Sequence, residues 1–61
     1  MGLYEKIRDK AKAKGITISE IEADLGFSRS SIYKWNVNIP GIDRVKKVAD
    51  YLGVSIEELM K

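Results

Sequence analysis

The chain has 61 residues, 44% of them hydrophobic and 33% charged, with a formal net charge of +2 and neither cysteine nor histidine. A chain of that length forms one small domain, here spanning 1–61, which buries only about 60% of its unfolded surface and has no disulfide to staple it. The missing residue types exclude Cys/His zinc sites, thiol chemistry and histidine triads, and no apolar run approaches the roughly 20 residues of a bilayer span, nor does a signal-peptide core follow Met1.

The first predicted helix runs from about Leu3 to Lys14, where Leu3, Tyr4, Ile7 and Ala11 fall within a narrow arc. Lys6, Arg8, Lys10, Lys12 and Lys14 against Glu5 and Asp9 give residues 1–14 a balance of +3. The two acids interrupt the basic side, which therefore reads as a solvated helix face rather than a nucleic-acid or membrane arm. Gly15 stops the helix in the left-handed position after the cap. Thr17-Ile18-Ser19-Glu20 is a capping box. It opens a second helix from Ile18 to Leu25, with Ile18, Ile21 and Leu25 inward, and Gly26 ends it. Residues 15–27 carry Glu20, Glu22 and Asp24 with no cation, a balance of −3. Without histidine or a convergent acid elsewhere, these read as caps and solvated surface, not as a metal or acid/base cluster.

Ser28 is a good N-cap for a third helix from Arg29 to Asn36. Val37-Asn38-Ile39-Pro40-Gly41 is a loop, because Pro40 holds Ile39 extended. A fourth helix starts at Ile42, with Ile42, Val45, Val48, Ala49 and Leu52 on one stripe, Asp43 near its positive end and Gly53 closing it. Ser55-Ile56-Glu57-Glu58 is a second capping box, opening a short fifth helix through Met60. Nothing alternates at period two, and each helix is too short to persist alone. The expected fold is all-α, a compact five-helix globule.

The informative stretch is Ile18 to Trp35: two short helices joined by Gly26-Phe27-Ser28, which is helix-turn-helix spacing. On a wheel with Ile32 at zero, Trp35 lies at about −60°, on the buried side, so its ring reads as core. Arg29, Tyr33, Ser30 and Lys34 then form one contiguous polar arc without a carboxylate. From Leu25 to Ile42 there is no acid at all, while Arg29 and Lys34 supply +2. Such an arc suits a DNA major groove: Arg29 and Lys34 can donate to guanine O6 and N7, and Ser30 can donate or accept. Tyr33 can read a base, touch phosphate or simply cover the helix.

With these residues in place, the segment Ile18–Leu59 resembles the Cro/lambda-repressor-like (XRE) helix-turn-helix family of phage and bacterial regulators. The likeness rests on Ile16-x-Ile18, Ile21…Leu25-Gly26-Phe27-Ser28, Ser31-Ile32-x-Lys34-Trp35, Pro40 and Val48-Ala49-x-x-Leu52-Gly53-Val54-Ser55, with Leu59 behind. The resemblance implies that Arg29, Ser30, Tyr33 and Lys34 face base edges. It implies that Ser28, which opens the groove-facing segment, and Thr17, Ser19, Asn36 and Asn38 lie where phosphates are held. It also implies a two-fold contact near the fifth helix, through Tyr51, Val54, Ile56 and Met60, giving a weak homodimer.

Three departures stand out. Glu22 occupies a position often held by Ala where the two helices pass, so its carboxylate is expected to bend outward, toward Arg29, or the helices to separate. Ile18 stands where a phosphate-contacting Gln is common. An Arg–Glu pair linking the first helix to the end of the third is replaced at both positions, assigned to Ala11 and Asn36.

The expected function is sequence-specific binding of double-stranded DNA by a cytoplasmic regulator of bacterial cytosol or nucleoid, a repressor acting by occupancy. No cofactor, metal, membrane or small-molecule substrate is expected. As a dimer it would span half-sites about 34 Å apart. The chain ends soon after the fifth helix, compatible with a small regulator or the head of a longer one. The alternative is a protein-interaction module, antitoxin-like or an adaptor, on the same fold. An enzyme is disfavoured, since the chain offers no histidine, cysteine or Gly-rich phosphate loop.

Overall fold

Local cap chemistry sets most of the element boundaries. The computed structural model describes residues 2–60, and in it α1 spans Leu3–Ala13, α2 Ile18–Leu25, α3 Ile42–Leu52 and α4 Ile56–Met60. A 3₁₀ segment, Ile32–Asn36, lies between α2 and α3, and the described residues contain no strand. Thr17 Oγ1 accepts the Glu20 N–H at 3.1 Å, and Glu20 Oε1 accepts the Thr17 N–H at 3.3 Å, so the first capping box forms as expected. The second forms too: the Glu58 N–H donates to Ser55 Oγ at 3.3 Å and the Ser55 N–H to Glu58 Oε2 at 3.0 Å. Gly15, Gly26 and Gly53 all take the left-handed conformation in which they end α1, α2 and α3.

Every element contributes to one core. Ile7 and Ala11 come from α1, Ile21 from α2, Ile32 and Trp35 from the 3₁₀ segment, Val45, Val48, Ala49 and Leu52 from α3, and Leu59 from α4. Leu3, Tyr4, Ile18, Leu25 and Phe27 close around it half-buried. Ile42 departs from its predicted stripe and is 60% exposed. Helical side chains lean toward the helix N-terminus, so at the first position of α3 the side chain leans past the end of the core.

The larger correction concerns the third helix. The α-helix expected over Arg29–Asn36 is a 3₁₀ helix confined to Ile32–Asn36, preceded by turn residues. The architecture is therefore four α-helices and a 3₁₀ turn rather than five α-helices. Ser30 breaks the α path with φ +66°, the one positive-φ residue other than glycine among those described. Three-residue periodicity then eclipses Ile32 with Trp35, and both are buried. Trp35 packs against Phe27 with ring centroids 5.7 Å apart. Ser28 does not cap this segment; its hydroxyl instead shares a 2.6 Å hydrogen bond with that of Ser31.

Candidate nucleic-acid interface

The turn between α2 and the 3₁₀ segment closes on Glu22. This residue is 5% exposed, the one buried charged residue among those described. Its Oε1 accepts the Ser30 N–H at 3.2 Å and its Oε2 accepts the Ile32 N–H at 3.0 Å. Two backbone donors two residues apart, the first of them on the left-handed Ser30, form a concave nest that suits an anion, and this carboxylate fills it. The outward swing toward Arg29 expected for Glu22 is thus overturned: the side chain turns inward because the unpaired N–H groups of the turn lie there, and a buried carboxylate requires such donors.

With the turn held in this way, Ser19 from α2, Arg29 and Ser30 from the turn, and Tyr33 from the 3₁₀ segment line one shallow groove, together with Tyr4, Ile18 and Glu22. Arg29, Ser30 and Ser19 are exposed and Tyr33 is 66% exposed. Lys34 does not line this groove. At about 120° per residue it occupies the third face of the 3₁₀ turn, separate from that of Ile32 and Trp35 and from that of Tyr33 and Asn36. The single four-residue arc of an α-helical wheel is therefore split: Arg29, Ser30 and Tyr33 come together, and Lys34, also exposed, stands apart from their groove.

The predicted phosphate-side residues divide as well. Thr17 is exposed, with its hydroxyl in the capping box, and Ser28 and Asn38 are exposed. Asn36 has other work. Its Oδ1 accepts the Tyr4 N–H at 2.9 Å and its Nδ2 donates to Glu5 Oε1 at 2.8 Å. Gly2, which precedes α1, has no side chain to cap it, so Asn36 supplies that cap from 32 residues away. A link between α1 and the end of the 3₁₀ segment is therefore present, with Glu5 rather than Ala11 as the α1 partner. Hydrogen bonding to Asn36, chiefly, holds the Glu5 carboxyl below its ordinary range.

Several neighbours of this surface carry no motif in the sequence. Tyr4, predicted as core, meets Tyr33 edge to face at 5.2 Å, and the Arg8 guanidinium lies 5.9 Å from the Tyr4 ring centroid. Arg44, exposed on α3, lines a second hollow with Gly26, Phe27, Ser28, Ser31 and Trp35. A cation one turn into a helix has no distinctive spacing, so only its place beside Ser28 marks it. Of the predicted dimer residues, Tyr51, Val54 and Ile56 are half-buried against the core and Met60 is 51% exposed. The Tyr51 hydroxyl donates to Asp24, tying α3 to α2.

A helix-turn-helix family model matches residues 7–59, a span that includes part of α1 and nearly all of the elements after it. The chain matches no curated protein and no solved structure.

Proposed function

The chain belongs to the Cro/C1-type helix-turn-helix (XRE) family of DNA-binding transcriptional regulators, and on that premise we propose that it binds double-stranded DNA sequence-specifically as a phage or bacterial repressor. The turn and 3₁₀ segment enter the major groove, Arg29, Ser30, Tyr33 and Lys34 meet base edges, and promoter access is blocked by occupancy. The observation that carries the reading is the exposed cluster of Arg29, Ser30 and Tyr33 around one groove, with Lys34 exposed on another face of the 3₁₀ turn, inside a stretch from Leu25 to Ile42 that contains no acid. Thr17, Ser19, Ser28 and Asn38, all exposed, are assigned to phosphate contacts, and Arg44, which lines a hollow with Ser28, adds a cation there. Asn36 is left out of the phosphate set, because its carboxamide caps α1. A homodimer through Met60 and the rims of Tyr51, Val54 and Ile56 would present two such surfaces about 34 Å apart.

Selection from a random duplex library tests this reading, with enrichment of a two-fold symmetric site as the expected result. On that site Arg29→Ala and Lys34→Ala each lower affinity by about 1–3 kcal/mol where they read bases, and relax the preference at the base they meet. Wild-type affinity in both variants would remove this face from the interface. A second reading, a protein-interaction module, draws on the exposed apolar side chains of Val37, Ile39 and Ile42. Salt separates the two. A DNA reader loses log K linearly with log salt, by about 0.9 per phosphate neutralised, whereas an interaction module has little DNA affinity at any salt.

A further inference from the structure

We infer that Glu22 is a positioning residue that sets DNA sequence preference by choosing the backbone conformation of the segment that meets the bases. The inference rests on the DNA-binding reading above and adds a residue that touches no DNA.

Left to local preference, residues 29–36 favour an α-helix: the stretch holds no glycine or proline, and nothing in it asks for positive φ. A left-handed serine is disfavoured by contact of its Cβ with the backbone, yet Ser30 sits at φ +66°. What offsets that strain is visible. The left-handed turn at Ser30 lets the N–H groups of Ser30 and Ile32 converge on the two Glu22 oxygens, at 3.2 and 3.0 Å, and bonds to an ionised acceptor are the strong ones. With a small residue at position 22 the anion disappears, and Ser30 has no partner to hold it left-handed. The turn then relaxes into a continuous helix from Arg29, with Arg29, Ser30, Tyr33 and Lys34 rejoined on one arc. The two conformations offer the same side chains to DNA in different arrangements: Arg29, Ser30 and Tyr33 around one groove with Lys34 apart, or all four in a row. Two arrangements of one donor set select different base sequences.

The experiment takes wild type, Glu22→Ala and the isosteric Glu22→Gln through two measurements. The first, without DNA, is the sign of φ at Ser30, read by NMR from three-bond couplings and the intraresidue amide–Hα distance, with the Ser30 and Ile32 amide shifts. The second is selection from a random duplex library. In Glu22→Ala we expect φ at Ser30 to become negative, helical shifts to run unbroken from Arg29 to Asn36, and a different site to be enriched. Glu22→Gln keeps one acceptor and loses the charge. It should narrow the ratio of affinities for the wild-type site and the Glu22→Ala site by about tenfold or more, a factor matching the loss of one charge-assisted bond. If Glu22→Ala does not fold, the sign of φ at Ser30 in Glu22→Gln and the site that Glu22→Gln itself enriches serve as the test. Preservation of positive φ, or enrichment of the wild-type site with affinity lowered equally on all duplexes, would reduce Glu22 to a stabilising residue and overturn the inference. If wild type enriches nothing, the DNA reading falls and the claim on sequence preference falls with it, while the sign of φ still decides whether Glu22 holds the turn.

Discussion

Ser30 concentrates the cost of this architecture in one residue. Its φ of +66° is a conformation that glycine adopts freely and serine does not. Relief of roughly 1–2 kcal/mol of left-handed strain, less the roughly 0.5–1 kcal/mol that glycine loses in backbone entropy, makes Ser30→Gly more stable by about 0.5–1 kcal/mol. Ser30→Val moves the other way, losing about 1–2 kcal/mol or more, because a branched Cβ crowds a left-handed backbone further. Urea midpoints at constant slope measure both, and a Ser30→Gly variant less stable than wild type would contradict the strain argument. None of this strain has a letter in the sequence. Glu22 is conspicuous there as a large acid where two helices pass, but its acceptor role is invisible, since both donors are backbone N–H groups that every residue other than proline carries.

Among the elements, what was legible follows the range of the interaction. The starts of α2 and α4 rest on capping boxes and the ends of α1, α2 and α3 on left-handed glycines, all a few residues from the helices they limit, and the sequence locates each within a residue or two. The cap of α1 was hidden, because Asn36 reaches it across 32 residues; a Cβ at Gly2 would collide with that same carboxamide. These caps also give the fold an acid sensitivity. The Glu5 carboxyl is held below its ordinary value chiefly by Asn36, and that of Glu58 chiefly by the Ser55 backbone N–H and then by Lys10, 3.6 Å away. A carboxyl whose folded pKa lies below its unfolded pKa binds more protons when unfolded. Its contribution is therefore complete above the unfolded value, 4.5 for glutamate, and is lost as pH falls through the folded value. Urea denaturation at a series of pH values should show stability declining below about pH 5, and the double variant Glu5→Gln/Glu58→Gln should flatten that decline. An unchanged acid limb in the double variant would place the sensitivity in other carboxylates.

For the whole molecule, ten buried apolar side chains drawn from all five helical segments leave no element to spare. The Cα radius of gyration, 10.1 Å, is close to the roughly 10.5 Å expected of a folded domain this long. A chain of this size has a stability of about 3–9 kcal/mol. Leu52, fully buried on α3, costs about 2–5 kcal/mol when truncated to alanine, which is a large share of the total. Leu52→Ala should therefore lose helical circular dichroism near room temperature well before wild type does. Because the same fold presents the groove residues, a duplex that binds only the folded state must draw the population back, by about 2.7 kcal/mol at a hundred times its dissociation constant. Addition of the duplex enriched by wild type should restore the helical signal of Leu52→Ala, while a scrambled duplex of equal length and salt should restore little. Equal recovery with both would mean that the folded surface attracts DNA only as a polyanion, and unchanged melting of Leu52→Ala would mean that the core is not shared in the way its packing indicates.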